Sequence, residues 1–257
     1  MTGVRLNKAL ASAGVCSRRR ADELISSGAV RVNDTVVDAM GLKIDPAKDT
    51  VTVHGKTVAL SEGAAATRHH YYLLHKPIQV VSTAKDPQGR PTVLDLLPGE
   101  LRDNLRLYPV GRLDYFSEGL LLLTDDGELT NRLTHPRYHL PKVYEVKLRQ
   151  LPTEAGLGAM RRGMTLREGE HLAPVEVEIH SAQTLLLTLH QGINRQIRRM
   201  CRDLGLTILT LRRVQLGPLE LGDLPKGKCR PLRPGEVAAL KKAVGLEGSP
   251  QGLRHLI

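Results

Sequence analysis

Four consecutive leucines, Leu120 to Leu123, constrain this chain more than any other stretch. A half-buried strand alternates apolar and polar residues, and an amphipathic helix spaces its apolar residues by three and four. An unbroken run between Gly119 and Thr124-Asp125-Asp126-Gly127 therefore predicts a short strand buried on both faces. Whatever immediately precedes such a strand is anchored to the core. Here that is Gly111-Arg112-Leu113-Asp114-Tyr115-Phe116-Ser117-Glu118, which puts Asp114 on a fixed loop between an arginine and glycines. Two readings stand for Asp114. Aspartate between glycines commonly caps a surface turn, and a rigidly mounted carboxylate is also how a reactive group is positioned.

A doubly buried strand needs a sizeable core. The chain's 257 residues, 41% of them apolar, suffice for one large domain or two modest ones. No stretch approaches the roughly 18 to 20 apolar residues of a membrane span, and Met1 to Lys8 lacks the apolar block of a signal peptide, so a soluble cytoplasmic protein is expected. Cys16, Cys201 and Cys229 are odd in number, far apart and never form a Cys-x-x-Cys pair, which argues against a disulfide framework and a zinc site. His69-His70 shows no acidic or cysteine partner at ligand spacing, so no metal is expected there.

Charge points to a polyanionic partner. The formal net charge is +10, and His190 to Arg213 alone carries Arg195, Arg198, Arg199, Arg202, Arg212 and Arg213 against Asp203, a local +5. A merely solvated helix face would interleave glutamates, and none occurs in that stretch. If the segment is helical, Arg195, Arg198, Arg199 and Arg202 share one broad face, so they cannot all serve one carboxylate.

Residues 1–60 read as a small module. Leu6, Ala9, Leu10 and Ala13 recur at helical spacing up to Gly14, and Ser17 can cap a second helix whose apolar face is Ala21, Leu24 and Ile25, ending near Gly28. Valine-rich segments 29–37 and 51–59, broken by Asn33-Asp34 and His54-Gly55, predict small strands joined by tight turns. Arg18, Arg19 and Arg20 fall in the first turn of the second helix. The helix dipole disfavours cations there by roughly 0.3–1 kcal/mol each, whereas an RNA backbone would use both the arginines and the free amides. Residues 61–69 read as a linker. Strand candidates at 143–148, 175–179 and 185–189, with a helix over 128–134 that must end by Pro136, predict an α+β domain over 70–245, and 246–257 reads as a loose tail.

The long segment from Gly111 to Gly127 resembles the aspartate motif of RNA pseudouridine synthases, particularly the RsuA-like branch that includes the large-subunit enzymes RluB, RluE and RluF. Residues 4–8, 14–19 and 28–33 resemble the alpha-L RNA-binding domain, first described in a small-subunit ribosomal protein, and residues 73–95 resemble the opening of the catalytic domain. The resemblance implies a small RNA-binding domain followed by a mixed, largely antiparallel-sheet synthase domain. It implies isomerisation of uridine in ribosomal RNA without a cofactor: the ribose–N1 bond breaks, the base turns, and it rejoins through C5. Whether the aspartate attacks the sugar, promotes elimination or adds to the base stays open.

In that family one aspartate is essential, and Asp114 matches it. Gly192-Ile193-Asn194-Arg195-Gln196-Ile197-Arg198-Arg199-Met200 resembles the late motif, in which Arg198 pairs with the aspartate while Arg195 and Arg199 contact RNA. Its wording is closer to the large-subunit enzymes. Pro141-Lys142-Val143-Tyr144 resembles the segment whose tyrosine stacks on the target base, giving roles to Tyr144 and, in RNA contact, to Lys142. Arg112 resembles the arginine that holds the nucleotide out of its helix, since chemistry at the glycosidic carbon requires a flipped base. Gln191 stands where many members have glutamate.

Three other functions compete. A ribosome-assembly factor retaining the fold without activity is opposed by intact Asp114, Tyr144 and Arg198. A DNA-binding regulator leaves the aspartate motif unexplained, and no Gly-x-x-x-x-Gly-Lys-Ser/Thr occurs for a P-loop hydrolase. With no tryptophan, one phenylalanine and all six tyrosines at 71–144, the N-terminal module has no aromatic platform and is expected to read phosphates and helix shape. A monomer bound to ribosomal RNA or an assembling subunit is the expectation.

Overall fold

The computed structural model describes residues 3–60, 69–150 and 152–246. Residues 61–68 of the expected linker and the tail from 247 onward lie outside the described residues. The chain forms two compact units, Met1–Arg68 and His69–Ile257.

In the first unit, β1 (Val4–Arg5) leads into α1 (Leu6–Ser12), α2 (Arg18–Ser26), β2 (Val30–Val32), β3 (Thr35–Val37), β4 (Lys43–Ile44), β5 (Val51–Val53) and β6 (Lys56–Val58). The two helices bury Leu6, Ala9, Leu10, Ala21, Leu24 and Ile25 against Val30, Ile44 and Val51. The Ser17 hydroxyl accepts a hydrogen bond from the Arg20 amide at 3.1 Å, which caps α2. Asn33 and Asp34 both have positive φ (48° and 60°), the backbone a two-residue turn needs to join antiparallel strands that twist right-handedly. The sheet order is β3-β2-β5-β6, and β1 pairs separately with β4. Neither β1 nor β4 was expected, because two residues are too few to show a period.

The second unit contains β7 (Tyr71–Lys76), α3 (Gly99–Asn104), β8 (Tyr108–Val110), β9 (Glu118–Thr124), α4 (Gly127–Thr134), β10 (Lys142–Leu148), α5 (Glu154–Arg162), β11 (Glu176–Ser181), β12 (Thr184–Leu189), α6 (Gln196–Asp203), β13 (Ile208–Leu216), β14 (Leu219–Glu220), β15 (Cys229–Pro231) and α7 (Pro234–Ala243). They build one sheet in the order β11-β12-β10-β13-β9-β7-β15, with β8 also on β9 and β14 also on β13. Every pairing is antiparallel except β9 with β13, so the expected mixed, largely antiparallel α+β architecture is what forms. Among the described residues, no helix is long and apolar enough to cross a membrane.

β9 is the strand of the leucine run, and all seven of its residues are buried. Leu120 and Leu122 pack into a core with Leu73, Leu129 and Leu216, while Leu121 and Leu123 pack on the opposite face with Leu74, Val93 and Leu113. Each leucine excluded from water contributes roughly 1.5–3 kcal/mol, so one short strand ties two cores together and fixes what precedes it.

The parallel contact between β9 and β13 is confined to Glu118 and Gly119 opposite Arg212 and Arg213. Gly119 has φ +110°, and a Cβ there would collide with the Arg213 carbonyl oxygen and lie 2.7 Å from the Arg213 nitrogen, so no other residue fits. Gly119→Ala adds the cost of left-handed backbone to that of overpacking and is expected to lose about 3 kcal/mol or more in a denaturant titration, or to prevent folding. Gly222→Ala, also at positive φ but with open space around it, should cost only about 1–2 kcal/mol. Equal losses at the two positions would show that backbone torsion alone, and not the close seam with β13, excludes a side chain at Gly119.

Candidate active site

Asp114 lies on the loop between β8 and β9, and this loop has almost no backbone freedom. Five consecutive carbonyls are engaged: Leu113 accepts from the Ser82 hydroxyl (2.9 Å), Asp114 from Lys76 Nζ (3.1 Å) and the Ser117 amide (2.9 Å), Tyr115 from the Gln79 amide (2.6 Å), Phe116 from Arg198 Nη2 (2.7 Å) and Ser117 from Lys76 Nζ (2.8 Å). Ser82 also accepts from the Leu113 amide at 3.1 Å, so one hydroxyl grips both ends of that residue. The Asp114 side chain, 39% exposed, projects from this frame.

Lys76, the last residue of β7, supplies the clamp beneath the loop. It is 0% exposed, and its ammonium donates to the carbonyls of Pro77, Asp114 and Ser117. Burial pushes its pKa down to about 8, partly opposed by the negative charges of Asp114 and Glu118. Glu118 is itself buried and ion-paired with Lys226 at 2.7 Å. Sequence reasoning assigned Lys76 no role. A lysine at the end of the strand Tyr71-Tyr72-Leu73-Leu74-His75, just before a proline, was the signal available.

Arg198 arrives from α6, whose apolar residues Ile197, Met200 and Cys201 enter the core of β10 and β12. Its Nε lies 3.9 Å from Asp114 Oδ2, while its Nη2 donates to the Phe116 carbonyl and, at 3.1 Å, to Ser117 Oγ. Arg198 and Asp114 thus meet as expected, but only at ion-pair distance: the guanidinium's hydrogen bonds go to the loop backbone and to Ser117, and the carboxylate lies beyond hydrogen-bond reach. A bidentate grip would occupy both carboxylate oxygens, whereas this arrangement fixes the loop and leaves the carboxylate open to a ligand. Burial lowers the Arg198 pKa, with Asp114 opposing the shift.

The other arginines of α6 separate in a way the sequence did not show. Arg199 pairs with Glu170 (2.5 Å) and Glu168 (3.3 Å), and Arg202 with Glu168 (2.7 Å) and Asp203 (2.7 Å). The acidic partners missing from the basic segment come from the loop before β11, and the Arg202 guanidinium holds Glu168 down to about 2. Any phosphate at Arg199 has to displace these carboxylates. Arg195, by contrast, is exposed at the start of α6, in a left-handed conformation with φ 49°.

Tyr144 is half-buried on β10 and packs both against the core of Val146 and Met200 and against that of Leu113 and Leu121, which places it beside the loop of Asp114. Lys142 lies two residues earlier on the same strand and donates to the Leu140 carbonyl at 3.1 Å; burial, then Arg213, lower its pKa. Arg112 is exposed on the loop itself. Arg18, Arg19 and Arg20 are exposed in the first turn of α2 in the other unit, Arg20 pairing with Glu23 at 2.6 Å. The histidine pair does have an acidic neighbour: Asp125 lies 3.3 Å from His69 Nδ1 and 2.7 Å from His70 Nδ1, a contact made across the fold and so invisible to local spacing. Among the described residues, no group of three or more His, Cys, Asp or Glu is placed to hold a metal ion.

Residues 70–203 match the family model described as RNA pseudouridylate synthase, and residues 4–51 match the S4 domain. The chain is 41% identical to an uncharacterized RNA pseudouridine synthase of Aquifex aeolicus (strain VF5), over 99% of this chain and 100% of that protein. It is 40% identical to ribosomal large subunit pseudouridine synthase B of Bacillus subtilis (strain 168), over 92% and 95% of the two chains. A solved structure described as that of a pseudouridylate synthase aligns with a TM-score of 0.66 at 30% identity, covering 92% of this chain and 99% of that one.

Because the Lys76 value in the folded chain, about 8, lies below the ordinary 10.5, the folded state binds fewer protons than the unfolded chain between those two pH values. Its contribution to global stability therefore rises with pH across that window. The loop should respond in the opposite sense, since a neutral amine has two N–H groups for three carbonyls. Amide hydrogen exchange at residues 114–117, corrected for intrinsic base catalysis, is expected to accelerate above pH ~8 without a matching fall in melting temperature. In Lys76→Met this pH step should vanish. Protection that stays flat from neutral to alkaline pH in the parent would show that the ammonium does not hold the loop.

Proposed function

The chain belongs to the RNA pseudouridylate synthase family, which isomerises uridine in RNA to pseudouridine, and from that premise we propose that Asp114 is the reacting carboxylate and that ribosomal RNA, most specifically that of the large subunit, is the substrate. The observation that carries the assignment of the site is the meeting of Asp114 and Arg198, brought from distant segments to 3.9 Å on an otherwise immobilised loop. The choice of large-subunit RNA is supported by the likeness to the Bacillus subtilis enzyme named for that substrate; the +10 net charge suits a polyanion of any kind. The S4 domain is an RNA-binding module, and Arg18, Arg19 and Arg20 at the start of α2 would supply phosphate contacts. The protein would act as a monomer in the cytoplasm during ribosome biogenesis.

The reaction consumes nothing and needs no added group. The C1′–N1 bond breaks with its electron pair leaving on uracil, the base turns, C1′ bonds to C5, and the C5 proton is lost as N1 gains one. A carboxylate held at fixed distance from the ribose gains chiefly through positioning, because the entropic cost of alignment is met on folding. Arg198 sets the electrostatic field at that carboxylate without covering it, and Tyr144 supplies an aromatic face beside the loop for the displaced base. Arg112 and Arg195, both exposed, fit contacts to the flanking backbone, as does Lys142 once freed from Leu140. Arg199 fits such a contact only by exchanging its glutamates for phosphate.

Asp114→Asn keeps the shape of the side chain and removes its charge. Pseudouridine formation should fall below detection while RNA affinity changes by less than about tenfold, and mapping of pseudouridines in ribosomal RNA from cells carrying either form should lose a defined position. Turnover near the parental rate would overturn the assignment. Arg198→Lys should lower the rate more than it weakens binding, because an ammonium cannot reach the loop carbonyl, Ser117 and the carboxylate together; a mild Arg198→Lys beside a crippling Arg195→Lys would reverse the roles given to the two.

Replacing Arg18, Arg19 and Arg20 together by alanine should flatten the fall of log affinity with log salt by about 0.7 to 0.9 for each phosphate that is no longer neutralised. An unchanged slope would remove these arginines from the RNA path.

A further inference from the structure

Phe116 is the chain's one phenylalanine, and it stands in a position that packing does not explain. It follows Asp114 by two residues and is 59% exposed, on a loop whose carbonyls from Leu113 to Ser117 are all engaged. Its own carbonyl is the one held by Arg198 Nη2 at 2.7 Å. The Tyr115 ring meets it edge-on, with centroids 5.1 Å apart and planes at 82°, and Arg90 lies over Tyr115 at 6.0 Å. The ring is therefore mounted on rigid backbone, propped from one side and left facing solvent. The neighbouring loop adds Ile78, 45% exposed, one residue before the Gln79 amide that donates to the Tyr115 carbonyl.

We propose that Phe116 is an RNA-stacking residue of this site, whose ring receives an unstacked base adjoining the target uridine. The inference rests on the reading of Asp114 as the reacting carboxylate, because that reading brings a flipped nucleotide to within two residues of the ring. Extruding one nucleotide exposes the π-faces of its neighbours, and an aromatic side chain is the group that covers such a face irrespective of base identity. An apolar ring held in water is costly to solvate, and one already fixed in orientation loses little entropy on capturing a base. Phe116 thus acts in placement of the substrate and takes no part in bond making.

The test uses the full chain and an RNA fragment carrying 2-aminopurine next to the target uridine, in the Asp114→Asn background so that binding is read without turnover. With Phe116 intact, the probe should be quenched by stacking on binding. Phe116→Leu keeps apolar bulk but has no π-face, and should bind the RNA about tenfold more weakly and lose the quench, with melting temperature unchanged. Phe116→Trp should restore both. In the Asp114-intact protein, Phe116→Leu should raise KM and leave kcat within about twofold. Parental affinity and quench in Phe116→Leu would overturn the proposal, as would equal defects in the leucine and tryptophan variants. Because the binding readouts need no chemistry, they fail or succeed independently of the turnover of Asp114→Asn, which judges the catalytic assignment alone.

Discussion

An ammonium group withdrawn from water must be surrounded by oxygen, and Lys76 obtains its three acceptors from the backbone carbonyls of Pro77, Asp114 and Ser117. Taking that charge out of solvent is expensive, which is why burial moves its pKa down to about 8. The cost has a geometric consequence. Because the charge is satisfied only when the three carbonyls converge, the end of β7 and both ends of the turn carrying Asp114 hold one arrangement. Ser82, Gln79 and Arg198 then act on a segment already bent into shape.

This explains why the structure places Arg198 as it does. A guanidinium given only a carboxylate partner would close on it, and the carboxylate would lose access to anything else. With Nη2 committed to the Phe116 carbonyl and Ser117 Oγ, the nearest approach of Arg198 to Asp114 is that of Nε to Oδ2, at 3.9 Å. The loop therefore rests on two cations of different kinds. Lys76 is a buried point charge taken up by backbone, and Arg198 is a planar fork that bonds backbone and hydroxyl with the carboxylate at ion-pair distance.

How much of this was legible beforehand depended on the range of the signal. The leucine run predicted β9 as a doubly buried strand because an unalternating apolar pattern has few other uses, and Ser17, Gly14 and the Asn33-Asp34 turn marked the small unit's elements through local chemistry. β13 was missed, although at nine residues it is the longest strand of the sheet. Its Arg212 and Arg213 read as part of a basic tract, and only the fold shows Arg212 paired with Glu145 at 2.6 Å and Arg213 donating to the Leu120 carbonyl at 2.8 Å. The same limit applied to Glu168 and Glu170, which neutralise α6 from another loop, and to Asp125 beside the histidines. Partners of charged groups are set by tertiary packing, for which spacing along the chain carries no trace.

The ion pairs around α6 divide its arginines into neutralised and exposed groups. A row of free arginines on one helix would repel itself and bind any phosphate wherever it first met one. Pairing Arg199 and Arg202 with Glu168, Glu170 and Asp203 lowers that repulsion and leaves Arg195 exposed at the helix start, and Arg112 exposed on the Asp114 loop. Arg112 stands two residues before Asp114 on the same loop and Arg195 three residues before Arg198, so two exposed cations accompany the Asp114–Arg198 pair in sequence. An anion gains most where a cation has no carboxylate to give up, so for the RNA path proposed above the pattern of internal ion pairs matters as much as the bare count of arginines.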